Sequence, residues 1–325
     1  MMKAMRTMLR GLVVAAAAAG LGWVSGCGDA GDRYVVVTGS NTGVYYPMGQ
    51  AVDAAVRASG VDVSLRVRTS GGSVANAHAL GAGQADFAMM QPDVALFAFE
   101  GIEAFADQPI GNLRAVAGMY DEHVHLVVRA DSGIESVADL AGRSVAIGDA
   151  GSGTEVNALQ VLAAYGMSEA DLGSTEHLGA TQSAGRIQDG HLEAMFYTVG
   201  VGTAAIAELA TSGVGLRFIA IEGEAREALL AEHGFFTASS IPAGAYGAGL
   251  PAEDVPTVAM KAMLVAREGV PAEVVEAVLS AVFADLETFR RRHAGLAGFD
   301  LESAQQGLSI PLHDGARAFY EAQGQ

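Results

Sequence analysis

Short β-branched runs alternate with helical repeats of apolar positions along most of the chain. Tyr34–Thr38 (YVVVT) predicts a strand, followed by a Gly/Ser/Asn turn and a helical pattern over Pro47–Ala58. Val63–Val67 predicts a second strand, and Gly71-Gly72-Ser73 opens a helix that runs to about Leu80. Asp86–Met90 predicts a third strand before a helix over Pro92–Phe99, and Leu113–Met119 and His125–Val128 read as two more strands. Strand, turn and helix in repetition predict largely parallel sheets covered by helices.

The pattern restarts after Ile134. Strands are expected at Ser144–Ile147, Glu176–Leu178, Glu193–Tyr197 and Leu216–Ile221, with helices at Gly153–Tyr165, Ala180–Gln188 and Thr203–Ala210. Val258–Val265 reads as a late strand that returns to the first sheet. A long helix is expected from Pro271 to about Arg292, with proline in its first turn, and a last helix near Gly315–Gln323. The chain therefore reads as two α/β lobes, one of them discontinuous, with boundaries near residues 124 and 250. Lobe 1 takes residues 34–124 plus 250–325, and lobe 2 takes residues 125–249.

The first residues follow a different pattern. Lys3, Arg6 and Arg10 precede an uncharged run from Gly11 to Val24, too short for a stable bilayer-spanning helix and suited to a signal-peptide core. The run ends in Val24-Ser25-Gly26-Cys27, which resembles a bacterial lipobox. Residues 1–26 are thus expected to be a lipoprotein signal peptide, with Cys27 lipidated and residues 27–33 a tether; the competing reading is an ordinary signal peptide with a chance cysteine. The uncharged stretch from Phe235 to Ala252 is broken by Pro242, Pro251 and glycines, so it reads as a loop.

Charge and cysteine usage narrow the function. The 325 residues carry 19 Lys+Arg against 37 Asp+Glu, a net charge of −18, and removing residues 1–26 takes away three basic residues and no acid, leaving −21. That balance excludes nucleic-acid recognition, which needs clustered cations. The single Cys excludes an internal disulfide framework and a multi-cysteine zinc site.

Three predicted strand ends carry small polar residues before a helix start: Gly39-Ser40-Asn41-Thr42-Gly43, Thr69-Ser70-Gly71-Gly72-Ser73, and Gly148-Asp149-Ala150-Gly151-Ser152-Gly153-Thr154. Helix starts expose unpaired N–H groups and hold anions, and in open α/β sheets such loops lie where ligands bind. Alternatively, Ser73 and Thr154 only cap their helices. Gly148–Gly153 has the spacing of a P-loop, but Thr154-Glu155 stands where Lys and Ser/Thr are required, so nucleotide binding is not expected. Neither Ser152 nor Ser73 sits in a G-x-S-x-G elbow. Glu122-His123-Val124-His125 has H-x-H spacing beside a carboxylate, yet two histidines make a weak metal site, and no metal is assigned. Tyr45 offers a ring edge and hydroxyl to the first loop, and Gln91 both donates and accepts at the third strand end. Tyr197-Thr198-Val199-Gly200-Val201-Gly202 ends a strand of the second lobe, where its glycines allow close approach or a hinge.

Taken together and in order, Gly39–Pro47, Thr69–Val74, Gln91–Asp93, Gly148–Glu155 and Ile310–Ala316 resemble the TAXI family of TRAP-transporter-associated solute receptors. The resemblance spans nearly the whole mature chain. It implies a type II periplasmic-binding-protein fold with the ligand cleft between two lobes, no cofactor and no catalysis. It also implies delivery of a small anionic solute, such as glutamate, glutamine or a dicarboxylate like 2-oxoglutarate, to a TRAP membrane permease. The expected ligand-binding residues are Ser40, Asn41, Thr42, Gly43, Tyr45, Gly72, Ser73, Gln91, Ser152, Gly153 and Thr154. The receptor is expected to be a monomer in the periplasm, lipid-anchored at Cys27. The alternatives are a sensory ligand-binding domain for a membrane kinase and a hydrolase using the same cleft.

Overall fold

The computed structural model describes residues 33–247 and 249–324. The expected signal peptide and Cys27 therefore lie outside the described residues. In chain order the elements are β1 (Arg33–Val37), α1 (Tyr45–Ser59), β2 (Ser64–Arg68), α2 (Ser73–Gly81), β3 (Phe87–Met90), α3 (Pro92–Glu100) and β4 (Leu113–Arg129). There follow β5 (Ser144–Ala146), α4 (Gly153–Ala164), β6 (Ser174–Glu176), α5 (Ala180–Gln188), β7 (Ala194–Val199), α6 (Ala204–Thr211), β8 (Leu216–Phe218) and α7 (Gly223–Glu232). The chain closes with β9 (Thr237–Ile241), β10 (Val255–Arg267), α8 (Ala272–Ala284), α9 (Leu286–Arg290) and α10 (Asp314–Ala322).

All ten strands join one sheet, ordered β2-β1-β3-β10-β4-β7-β5-β6, with β8 added to β4 and β9 added to β10. Its outer strands are parallel: β1 pairs β2 and β3, and β5 pairs β6 and β7. The inner strands are antiparallel. The late strand β10 does return to the first sheet, where it lies between β3 and β4. The register of β4 with β10 runs from Leu113↔Arg267 to His123↔Ala259, with irregularities between Ala262/Met263 and Leu264/Val265. Beyond that ladder, β4 continues alongside β7 and β8, and β10 continues alongside β9. Two long strands thus link two halves, each a parallel trio edged by an antiparallel strand, so the mainly parallel sheets expected from the sequence hold only for the outer strands.

Each half has apolar groups on both faces of its sheet. In the first, Met48, Val52, Val275, Leu279, Phe289 and Phe319 pack under one face, and Leu80, Met90, Val94 and Phe105 under the other. In the second, Leu126, Val161, Leu162 and Leu229 form one cluster and Met195, Ile187, Ile206 and Leu209 the other. Burial of each such large side chain contributes about 1.5–3 kcal/mol.

Three departures from the sequence pattern have local causes. The two strands expected around residues 113–128 are one strand, because Asp121-Glu122-His123 finds partners: Lys261 pairs Asp121 at 2.9 Å, and two tyrosines bond Glu122. The long helix expected from Pro271 breaks at Asp285, which leaves helical geometry (φ −137°, ψ 72°) and caps Thr288 N. Within the stretch read as a loop from Phe235, Thr237–Ile241 forms β9, whose backbone pairs with β10 although its side chains show no apolar alternation. No described helix is long and apolar enough to cross a membrane.

Candidate functional site

The carboxyl ends of the parallel strands in both halves face one cavity of ≈ 90 Å³. The starts of five helices contribute to its wall: Val44 and Tyr45 of α1, Gly72 and Ser73 of α2, Gln91 before α3, Ser152 and Gly153 of α4, and Gly179 and Ala180 of α5. Each helix start turns N–H groups and the positive end of its dipole toward the space in front of it. The caps of α2, α3 and α5 have no side-chain hydrogen bond, whereas Ser152 Oγ accepts from Glu155 N at 3.2 Å.

Two glycines let the walls approach. Gly72 has φ 106°, in the region that favours glycine, and a Cβ there would lie 3.4 Å from Ser152 Cα of the opposite half. At Gly153 a Cβ would overlap the amide of Gln91. Gln91 also donates from Nε2 to Asn157 Oδ1 at 2.9 Å, and Asn157 Nδ2 donates to Asp93 Oδ2 at 2.7 Å. Asn157 lies on α4 and Asp93 on α3, so this fully buried chain bridges the two halves. Burial raises the Asp93 carboxyl to about 7, against the bonds from Val94 N and Asn157 that favour its charge. At the rim, Thr181 Oγ1 donates to Thr42 Oγ1 at 3.1 Å, a further bond between the halves.

On the first half's side, Tyr45 Oη donates to Glu122 Oε2 at 2.8 Å and Tyr120 Oη to Glu122 Oε1 at 3.0 Å. Ser73 Oγ accepts from Gln91 N at 3.1 Å and stands 3.5 Å from Tyr45 Oη. Glu122 is 3% exposed, and burial pushes its carboxyl up to about 8 despite the two tyrosine donors. Burial likewise raises the Tyr45 and Tyr120 hydroxyls well above their ordinary range and Tyr197 to about 12. Two buried oxygens at the site, Gln91 Oε1 and Thr198 Oγ1, have no hydrogen-bond partner. Among the described lining residues there is no Lys, Arg or His; the charged groups are Glu122 and Asp149.

The structure gathers nine of the eleven residues chosen from sequence around this cavity: Ser40, Gly43, Tyr45, Gly72, Ser73, Gln91, Ser152, Gly153 and Thr154. Asn41 and Thr42 are exposed at the rim and do not line it. Sequence reasoning missed Glu122 as a cavity residue, weighing it only beside the H-x-H pair. The strand separates them: His125 is buried against Tyr246 Oη at 2.6 Å and His123 bonds Ser239 at 3.0 Å, while Glu122 faces the tyrosines. Its neighbour Tyr120 and the α4 residue Asn157 carried no local signal. Phe196, Tyr197, Thr198 and Val199 of β7 also line the cavity, in the segment whose following glycines drew attention.

Two continuous strands join the halves, and helix starts from both ring one cleft between them. The chain belongs to the NMT1-like family, whose model matches residues 36–324. Its fold is similar to that of XAC2383 from Xanthomonas citri bound to chloride ion, at TM-score 0.53 and 14% identity over 89% of this chain and 99% of that one. It is also similar to MatC from Rhodopseudomonas palustris with bound malate, at TM-score 0.53 and 17% identity over 81% and 88% of the two chains. An ancestral arginine-binding protein bound to arginine matches at TM-score 0.50 and 13% identity, over 81% of this chain and 97% of that one.

Proposed function

We propose that this chain is the extracytoplasmic solute receptor of a TRAP transporter, of the TAXI type, binding a small carboxylate and delivering it to the membrane permease. Glutamate, glutamine and dicarboxylates such as 2-oxoglutarate are the candidate solutes. The observation that carries the proposal is the convergence of five helix starts on one cavity between linked halves. Such a wall neutralises a carboxylate with N–H donors and hydroxyls where the described lining holds no lysine or arginine. Residues 34–124 plus 250–325 and residues 125–249 act as lobes that close on the solute, with β4 and β10 as the hinge. The closed form, favoured by solute, is the one the permease recognises. Residues 1–26 direct export, and Cys27 carries the lipid that tethers a monomeric receptor.

Binding is favoured over hydrolysis by the state of the hydroxyls. Ser73 Oγ accepts from Gln91 N, Ser152 Oγ caps α4, and no histidine stands among the described lining residues to activate either. Mass spectrometry of small molecules released by denaturing freshly purified protein tests the proposal. A small carboxylate near one per chain is expected; release of a nucleotide, sugar or lipid in its place would overturn it.

A further inference from the structure

The receptor wall described above accounts for an anionic group of the solute but leaves Glu122 without a role. A carboxylate has about four acceptor sites, and the tyrosine hydroxyls of Tyr45 and Tyr120 take two of them. The titratable groups that face it are Tyr45 from α1, Tyr120 from its own strand, Asp93 from α3 and Tyr197 from β7, and none of them is a cation. On its other edge β10 sets Met260 opposite. No described ion pair reaches Glu122, although it lines the cavity. A buried carboxylate without a cation is costly and is retained where it meets a partner.

We propose that Glu122 receives the ammonium group of the solute, so that the site takes small α-amino acids in preference to the corresponding carboxylic acids without the amino group. The inference rests on the receptor proposal above and narrows its solute class. The solute then spans a dipolar cavity, with its carboxylate at the helix starts of α2 and α4 and its ammonium at the Glu122–Tyr45–Tyr120 cluster. The overall charge of −18 favours approach of a zwitterion over that of a dianion. Burial favours a proton on Glu122 at neutral pH. An arriving ammonium displaces that proton to solvent, while the solute keeps its own protons.

Isothermal titration of the mature chain with L-glutamate, L-glutamine, glutarate and 2-oxoglutarate, at pH 7 in two buffers of different ionisation enthalpy, tests the proposal. An amino acid is expected to bind about 100-fold tighter than its deaminated partner, which makes no charge-assisted bond to Glu122. Up to one proton should be released on binding. In Glu122→Gln, with folding checked by thermal melting, that preference should fall at least about tenfold. Glutarate or 2-oxoglutarate binding as tightly as the amino acids would overturn the ammonium assignment and leave the carboxylate receptor standing. No binding by any of the four would overturn both. The wild-type comparison decides the matter even if the variant does not fold.

Discussion

The side-chain amide of Gln91 occupies the space that a Cβ on Gly153 would need. The two residues come from opposite halves, and Gln91 continues through Asn157 to Asp93. A side chain at the start of α4 would have to move the Gln91 amide from its bond to Asn157.

Gly153→Ala displaces the buried Gln91 amide from its bond to Asn157. Overpacking of this kind costs about 1–3 kcal/mol, so affinity for the solute should fall about tenfold or more. Thermal melting without solute should move far less. Calorimetry that finds wild-type affinity in this variant would show that the approach of Gln91 to Gly153 is not part of the bound form.

Asn157→Leu removes the middle of the bridge and leaves Asp93 Oδ2 and Gln91 Nε2 without the partners they now have. Each unsatisfied buried group costs about 1–3 kcal/mol. The variant should melt lower than wild type and bind solute more weakly, because both bonds from Asn157 to the other half are lost. Equal melting temperatures would mean that water replaces Asn157 at no cost.

Stability of the solute-free protein should depend on pH through Glu122. Its folded carboxyl titrates near 8, above the ordinary 4.5. The folded state therefore binds more protons between those values, and its stability falls as pH rises from about 4.5 to about 8, by up to about 1.4 kcal/mol per unit. Glu122→Gln removes this term, so melting of the variant relative to wild type should improve steadily across that window. A difference that stays constant with pH would place the Glu122 carboxyl in its ordinary range.

Rim and wall should separate in a substitution series. Asn41→Ala and Thr42→Ala alter exposed residues outside the cavity lining, and the Thr181–Thr42 bond that the second removes is itself solvent-exposed, so each is worth within about 0.5 kcal/mol and affinity should stay within about threefold. Ser73→Ala removes a buried hydroxyl that accepts from Gln91 N and should weaken binding about tenfold, the value of one buried hydrogen bond. Equal losses in all three variants would make the rim part of the binding wall.

The glycine- and hydroxyl-rich helix starts were legible because the backbone they need is written locally, in strand ends such as Thr69–Ser73 and Gly148–Thr154. The cluster around Glu122 was not. Its polar stretch, Asp121-Glu122-His123, reads as a strand break, and only pairing with β10 and distant Tyr45 makes a continuous strand there favourable. The Asp285 break in the C-terminal helix was hidden because the flanking residues keep the helical apolar pattern, while a single cap decides the geometry. β9 escaped notice because Thr237–Ile241 is held by backbone pairing with β10, and such pairing has no signature in side-chain order. The H-x-H pair had the spacing of ligands, but Tyr246 and Ser239, each more than a hundred residues away in sequence, claim the two rings.

Equilibrium dialysis of the mature chain against glutamate, glutamine and 2-oxoglutarate, followed by chromatographic recovery of the compound, tests the receptor proposal most directly. At least one of the three should saturate at one molecule per chain and be recovered chemically unchanged. Absence of saturable binding at millimolar concentration, or recovery of an altered compound, would contradict it.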